Sequence, residues 1–468
     1  MTIERVAVGE ERHMRRISED KMEIVRIAGP AVLESLIAVI ITTIDTKMIS
    51  PLGSAAVSAV SITTQPKLIF LAAFFALGTA ASVFISQALG KKDSREANAY
   101  FHSILRVTIF GSLIFGGVIA LLADPIMRLC SRQQETIPIS AGFFRIIMGF
   151  MIFNTVSIVV NASLRAIGKT NVTLISSVAM GAADLLFNYL LIEGNLGFPR
   201  LEVAGDAIAT VAGSAASAVV GLIYLARHSD FLSLRGLFSR GESTPEIRKN
   251  IASKSGNVIF ENLSTRVGFL ISGIIVSTLP ADATAVYFVA MILLNYSFAF
   301  GDGLQSTVTM LVGRSMGAGR ADDIRKYVRW GRIVAFGIAA LLSVIYILGS
   351  RFFFSRFFTD EESISLGMQY SWVAAALSIL QIVRIVNIAA LRGIGDVRTP
   401  RIIATICVLV LNPGTGWLLT IALGMGVWGI WISSVITQSV WFIFSYVLSD
   451  REMRKIQNPP KEGAEVPC

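Results

Sequence analysis

Two acids stand inside residues 28–50, AGPAVLESLIAVIITTIDTKMIS, a stretch otherwise almost free of charge: Glu34 and Asp45. It is apolar over a length that can cross a hydrocarbon core, which takes about 20 helical residues at ~1.5 Å each. The two acids are eleven residues apart, so a helix returns them to nearly the same face, with Ala38 and Ile41 on the stripe between. An ionisable group inside a membrane is costly and normally faces protein or a water-filled cavity. Out of water the charged form of a carboxylate is penalised, so Asp45 is suited to taking up and releasing a proton near physiological pH. An aspartate bonded only to backbone or Ser/Thr is the alternative. Lys47, two residues on, does not share Asp45's face. Its stem can snorkel to the outer interface.

Further polar groups lie in other apolar runs. In GAADLLFNYLLIE, Asp184 and Asn188 share one helical face. From the outer ends of their spans, Asp45 and Asn188 are each about one turn in and Asp184 about two. Thr210 enters the next span to a comparable depth, so the four can meet in the outer half of one bundle. Asn154 and Asn161 share a face of the preceding span and can line the same cavity, or hydrogen-bond between helices. Glu34 and Glu261 place one glutamate near the inner mouth of each half. Arg266 and Asp302 fall at similar depth in consecutive spans, and an ion pair would let both charges stay in the membrane. That reading is preferred to direct substrate contact.

The elements that must position these groups are membrane helices. Hydrophobic residues make up 53% of the 468-residue chain and charged residues only 16%, against about 25% charged in a soluble protein. Apolar runs fall at 24–49, 55–89, 97–123, 136–163, 171–193, 203–226, 251–279, 283–316, 324–349, 363–388, 398–424 and 428–449, which predicts about twelve spans. Most of the 41 Lys and Arg lie in the N-terminal segment, the even-to-odd connections and the tail. That places both termini in the cytoplasm, and the net charge of +9 is topological rather than a nucleic-acid patch. Residues 1–23 lack a cleavable signal. Cys130, Cys407 and Cys468 are too scattered for a disulfide framework or a zinc site. No catalytic motif, metal cluster or Walker A loop is present, so neither an enzyme nor a cofactor is expected.

The chain also repeats. GPAVLESL from Gly29 recurs as GNVIFENL from Gly256, SQALGKKD around Gly90 as GRSMGAGR around Gly317, and ASLRAIGK around Gly168 as AALRGIGD around Gly395. Each pair lies 227 positions apart. Six spans per half make parallel repeats, an arrangement that commonly lines a transport pathway. The expected domains are a segment 1–23, an N-lobe 24–226, a cytoplasmic connection 227–250, a C-lobe 251–449 and a tail 450–468.

These halves resemble the multidrug and toxic compound extrusion (MATE) transporters over roughly residues 24–449. The resemblance rests on the pattern from Pro30 to Asp45, on LRAIGK and LRGIGDVRTP, and on NYLLIEG…VAGDAIAT from Asn188 to Thr210. It implies an all-α membrane protein with twelve transmembrane helices, in two six-helix lobes related by a pseudo-two-fold axis along the membrane normal. It also implies a monomeric antiporter in the bacterial inner membrane, exporting small amphiphilic or cationic organic compounds in exchange for H+ or Na+. Asp45 matches the family's first-span acid, linked to ion coupling. The proton-coupled branch usually has Asn-x-x-x-Asp in the fifth span; here the order is reversed, Asp184 then Asn188, leaving open which of them partners Asp45. The sodium-coupled NorM branch places acids in the seventh and tenth spans. Glu261 sits a turn earlier than that pattern, and the tenth span has Gln381, Arg384 and Asn387 but no acid. The chain is therefore closer to the proton-coupled, DinF-like branch, although a sodium site in the first lobe stays open. The competing reading, a flippase for lipid-linked oligosaccharides, commonly has fourteen spans and a basic cavity, neither of which fits.

Overall fold

The computed structural model describes residues 2–130, 134–228, 231–238 and 244–458. Parts of the expected 227–250 connection and the end of the 450–468 tail lie outside the described residues. Among the described residues there is helix and turn but no strand.

Helix α1 (Thr2–Ile49) runs unbroken through Pro30. Proline there removes a backbone donor and crowds the preceding turn, a local cause of bending. Helix α2 (Ser54–Lys91) carries Pro66 in its interior. Helix α3 (Ser94–Leu121) starts at Asp93, whose carboxylate accepts the Glu96 N–H at 2.9 Å, a side-chain cap on an otherwise orphan donor. After α4 (Ala123–Cys130), helices α5 (Thr136–Gly149) and α6 (Met151–Ala166) meet at 49° across a break at Phe150. Helices α7 (Thr170–Leu191) and α8 (Val203–Arg227) close the first half. The second half holds α9 (Pro245–Val276), α10 (Ala281–Gly317), α11 (Ala321–Leu348), the short α12 (Ser350–Phe354) and α13 (Glu361–Gly393). It continues with α14 (Arg398–Ala404), α15 (Asn412–Trp417) and α16 (Val427–Gln457), with π-helical stretches Thr405–Leu411 and Leu418–Ala422 on either side of α15. Among the described residues eleven helices are long and apolar enough to cross a membrane, and the bent α5–α6 pair, counted as one span, brings the number to twelve. The span count agrees with the sequence reading.

The repeat is visible in the backbone. Left-handed residues recur at the same 227-position offset: Lys92 (φ 57°) and Gly319 (φ 67°), Gly168 (φ 79°) and Gly395 (φ 95°), Gly197 (φ 85°) and Gly424 (φ 64°). Each ends a helix or shapes the turn after it, where glycine meets no Cβ penalty.

The chain divides into two compact units, one of residues 34–270 and one of residues 1–33 with 271–468. Both helices that open a repeat, α1 and α9, are therefore shared between units. In the 34–270 unit, α2 packs on α3, α5 and α6, and α7 lies along α8. Phe84 stacks on Tyr100 at 4.1 Å between ring centroids. In the other unit, α13 is the central helix, packed on α10, α11 and α16. Its buried Asn387 accepts from Arg332 Nε at 2.7 Å, while the same guanidinium donates to Ser449 at 2.9 Å and pairs with Asp450 at 2.9 Å. Lipid is as apolar as leucine, so such ties and close packing, rather than water exclusion, hold helices together within the spans.

Ahead of its apolar stretch, α1 is tied within its own unit at Glu23. Glu23 receives a hydrogen bond from Arg314 at 2.7 Å and another from the Tyr327 hydroxyl at 2.8 Å, beside buried Ile24, Met310 and Leu311. Burial pushes the Glu23 carboxyl up, but the bonds from Arg314 and Tyr327 and the Arg314 charge outweigh it and hold it below the ordinary carboxylate range. A carboxyl lowered on folding contributes stability above its unfolded pKa and loses it as pH falls through the folded value. Glu23→Gln is therefore expected to lower stability by about 1–2 kcal/mol at neutral pH, with the difference from the parent shrinking on acidification. Thermal unfolding of both proteins at neutral and acid pH checks this. A deficit that persists unchanged in acid would rule out a charge-linked tie.

Candidate functional site

The candidate site lies wholly within the 34–270 unit and is built by four helices. Helix α7 presents Asp184 and Asn188 four residues apart on one face, and α8 answers with Asp206, Thr210 and Gly213 on one of its own. Gly213 lets the helices close. A Cβ there would stand 2.8 Å from the Met180 carbonyl oxygen and 3.0 Å from the Asp184 Cβ. Helix α1 approaches α7 where Ile41 seats over Gly181, and a Cβ there would force the Ile41 side chain to shift. Asp45 follows one turn later.

These approaches bring the polar groups together. The Asn188 amide donates to Asp45 Oδ1 at 3.2 Å and to Asp184 Oδ2 at 3.4 Å. The shared amide sets the Asp45 and Asp184 carboxyls beside each other, with Thr210 near Asp184. An ionised carboxylate only accepts hydrogen bonds, so a bond between two carboxyls requires a proton on one of them. Asp184, Asn188 and Asp206 are buried; Asp45 and Thr210 are half-buried. The Asn188 carbonyl oxygen has no partner among the described residues, which leaves an acceptor beside the carboxyl pair.

Two members of the cluster were not singled out from the sequence. Lys67, next to Pro66 in α2, sets its ammonium in the field of Asp206, Asp45 and Asp184. Asp206, in the first turn of α8, is 3% exposed and faces Asp45 and Lys67. The available signals were a lone cation in the middle of the second apolar run, and an acid inside VAGDAIAT.

The other expected site residues lie elsewhere. Glu34 accepts from Arg165 at 2.6 Å and from the Thr173 hydroxyl at 2.7 Å, tying α1 to α6 and α7 through the LRAIGK segment. Asn161 is buried and donates to Ser157 at 3.2 Å and Ser217 at 3.1 Å, which joins α6 to α8. Asn154 is half-buried on α6, and Glu261 is buried on α9. Arg266 is half-buried on α9 and Asp302 exposed on α10, in different units. Lys47 is exposed. Among the described residues, no group of three His, Cys, Asp or Glu is placed to hold a metal ion.

Comparison with known proteins adds the following. The MatE family model matches residues 30–190 and 258–418, one copy in each repeat. An uncharacterised transporter of Bacillus subtilis, YisQ, is 23% identical over 445 residues, covering 94% of this chain and 96% of its own length. A probable multidrug resistance protein NorM of Thermotoga maritima is 22% identical over 420 residues, covering 90% of each. A solved structure of a MOP superfamily transporter from Pyrococcus furiosus superposes with a TM-score of 0.87 at 18% identity, over 94% of this chain and 97% of that one. At that identity the likeness shows the fold.

Proposed function

Since the chain belongs to the MATE family of multi-pass membrane transporters, we propose that it is a secondary antiporter that exports small amphiphilic, cationic organic compounds in exchange for protons. The multidrug resistance names of relatives such as the Thermotoga maritima protein support that substrate class. One observation carries the choice of ion: the Asp45 and Asp184 carboxyls share the Asn188 amide, which donates to both. That arrangement is a proton-holding one, because two ionised carboxylates at that distance repel.

The cycle follows from the residues. Protonated, the pair bonds α1 to α7 directly and through Asn188. Deprotonated, the repulsion between Asp45 and Asp184 loosens α1 from α7, and Pro30 supplies a place for α1 to bend. A bound cation favours the deprotonated state and protons favour the other, so the two ligands drive each other across the membrane. Lys67 balances part of the remaining acid charge, and Thr210 orients the Asp184 carboxyl. Glu34, Asn154, Asn161 and Glu261 belong to the cavity walls in this reading, with Glu34 and Asn161 fixing helices rather than meeting cargo. The protein sits in the bacterial inner membrane as a monomer with both termini cytoplasmic.

Sodium is the competing coupling ion. Counter-transport of tetraphenylphosphonium in vesicles, with proton and sodium gradients imposed separately, decides between them. Export driven by the proton gradient alone is expected. Export that needs sodium and ignores the proton gradient would overturn the assignment.

A further inference from the structure

The outer wall of the 34–270 unit contains a cavity of about 710 Å³ that the proposed cycle does not use. Its walls are Ile109 of α3, Phe153 of α6, and Val219 and Leu222 of α8. Leu237 and Phe238, from the segment 231–238, form the roof. That segment is held in place. His102 Nε2 meets the Ser233 carbonyl at 2.6 Å, the Asn98 amide donates to the Phe231 carbonyl at 2.9 Å, and Ser233 N–H returns a bond to Asn98 Oδ1 at 2.8 Å. A turn from Leu234 to Leu237, closed at 3.2 Å and permitted by Gly236 at φ 88°, folds the apolar side chains down onto the cavity.

The occupant can be argued from what surrounds the opening. Phe153, Val219 and Phe238 remain exposed at the cavity, on the wall of a membrane-spanning bundle where hydrocarbon is the solvent. Exposed Arg235 stands between the lining residues Leu234 and Gly236, and α8 ends beyond the lining Leu222 with exposed Arg227. An apolar slot with cations beside it at the end of a span matches a chain with an anionic head. The volume is also in the range of small-molecule sites, about 300–1,000 Å³.

We propose that this cavity holds an acyl chain of an anionic phospholipid, its phosphate set against Arg227 and Arg235, with residues 231–238 closed over the chain as a clasp. The inference depends on the protein being membrane-embedded and not on its coupling ion or cargo.

The test uses the full chain in detergent, exposed to phosphatidylglycerol or phosphatidylcholine, delipidated, and weighed by native mass spectrometry for retained lipid. The parent is expected to keep phosphatidylglycerol in preference to phosphatidylcholine. Val219→Trp should fill the slot and abolish retention. Arg227→Gln and Arg235→Gln should each weaken phosphatidylglycerol retention by about fivefold and leave phosphatidylcholine unchanged. Ile114→Trp, on α3 and exposed but outside the cavity, should behave as the parent. Equal retention of the two lipids by the parent, or full retention by Val219→Trp, overturns the proposal. So does retention of detergent or tetraphenylphosphonium in the slot in place of lipid. Should Val219→Trp fail to fold, the two arginine variants decide the matter by themselves.

Discussion

Asp45→Asn is expected to abolish gradient-driven export, a loss of at least about a hundredfold set by the size of typical coupling energies, while the protein remains folded in the membrane. Asparagine keeps the size of the side chain and can still bond to Asn188, so packing of α1 on α7 survives. What it lacks is a proton to gain and lose. Asp45 has no counterpart in the second half, where the matching position is Ser272, which receives a hydrogen bond from Asn412 at 3.0 Å. No duplicated acid is therefore available to take over the exchange. Transport assays in vesicles, with thermal unfolding as the folding control, measure both halves of this expectation. Export equal to the parent's would make Asp45 a structural residue.

The second large effect concerns the order of the pair on α7. Asp184→Asn alone removes the partner carboxyl and leaves Asp45 facing two amides, so export should fall by about tenfold or more. The double exchange Asp184→Asn with Asn188→Asp restores one carboxyl and one amide on the same face and keeps the charge count. It should retain export within about threefold of the parent, as expected for positions that act as one network. The second acid then stands one turn nearer Asp45's own depth and farther from Thr210, so the pH optimum is expected to shift. Export measured against pH for the parent and both variants separates these cases. A fully active single variant would place Asp184 outside the coupling network.

Much of this arrangement was legible beforehand because it depends on local periodicity. Twelve apolar runs, the 227-residue repeat, and the shared faces of Asp184 with Asn188 follow from helix geometry alone. Depth along each span was enough to bring Asp45, Asp184, Asn188 and Thr210 to one level. What sequence could not supply was the identity of neighbours across helices. Lys67 reads locally as one cation beside a proline, and Asp206 as an acid in a helix's first turn, a position favoured at any helix start. Only the close approach of α7 to α8 at Gly213, with α1 seated at Gly181, turns them into members of the acid cluster. Glu34 shows the same limit. Its depth places it near the inner mouth, but its partner Arg165 is 131 residues away and emerges only from the packing of the helices.

If Asp45, Asp184 and Asn188 hold the proton exchanged for substrate, as proposed, substrate binding must displace it. The most direct test is proton release on binding. Purified protein in weakly buffered detergent solution is mixed with tetraphenylphosphonium, and binding and proton release are followed together. The account predicts release from the parent in proportion to cation bound, and binding without release in Asp45→Asn. Equal release from both proteins, or binding to the parent with no release, would contradict it.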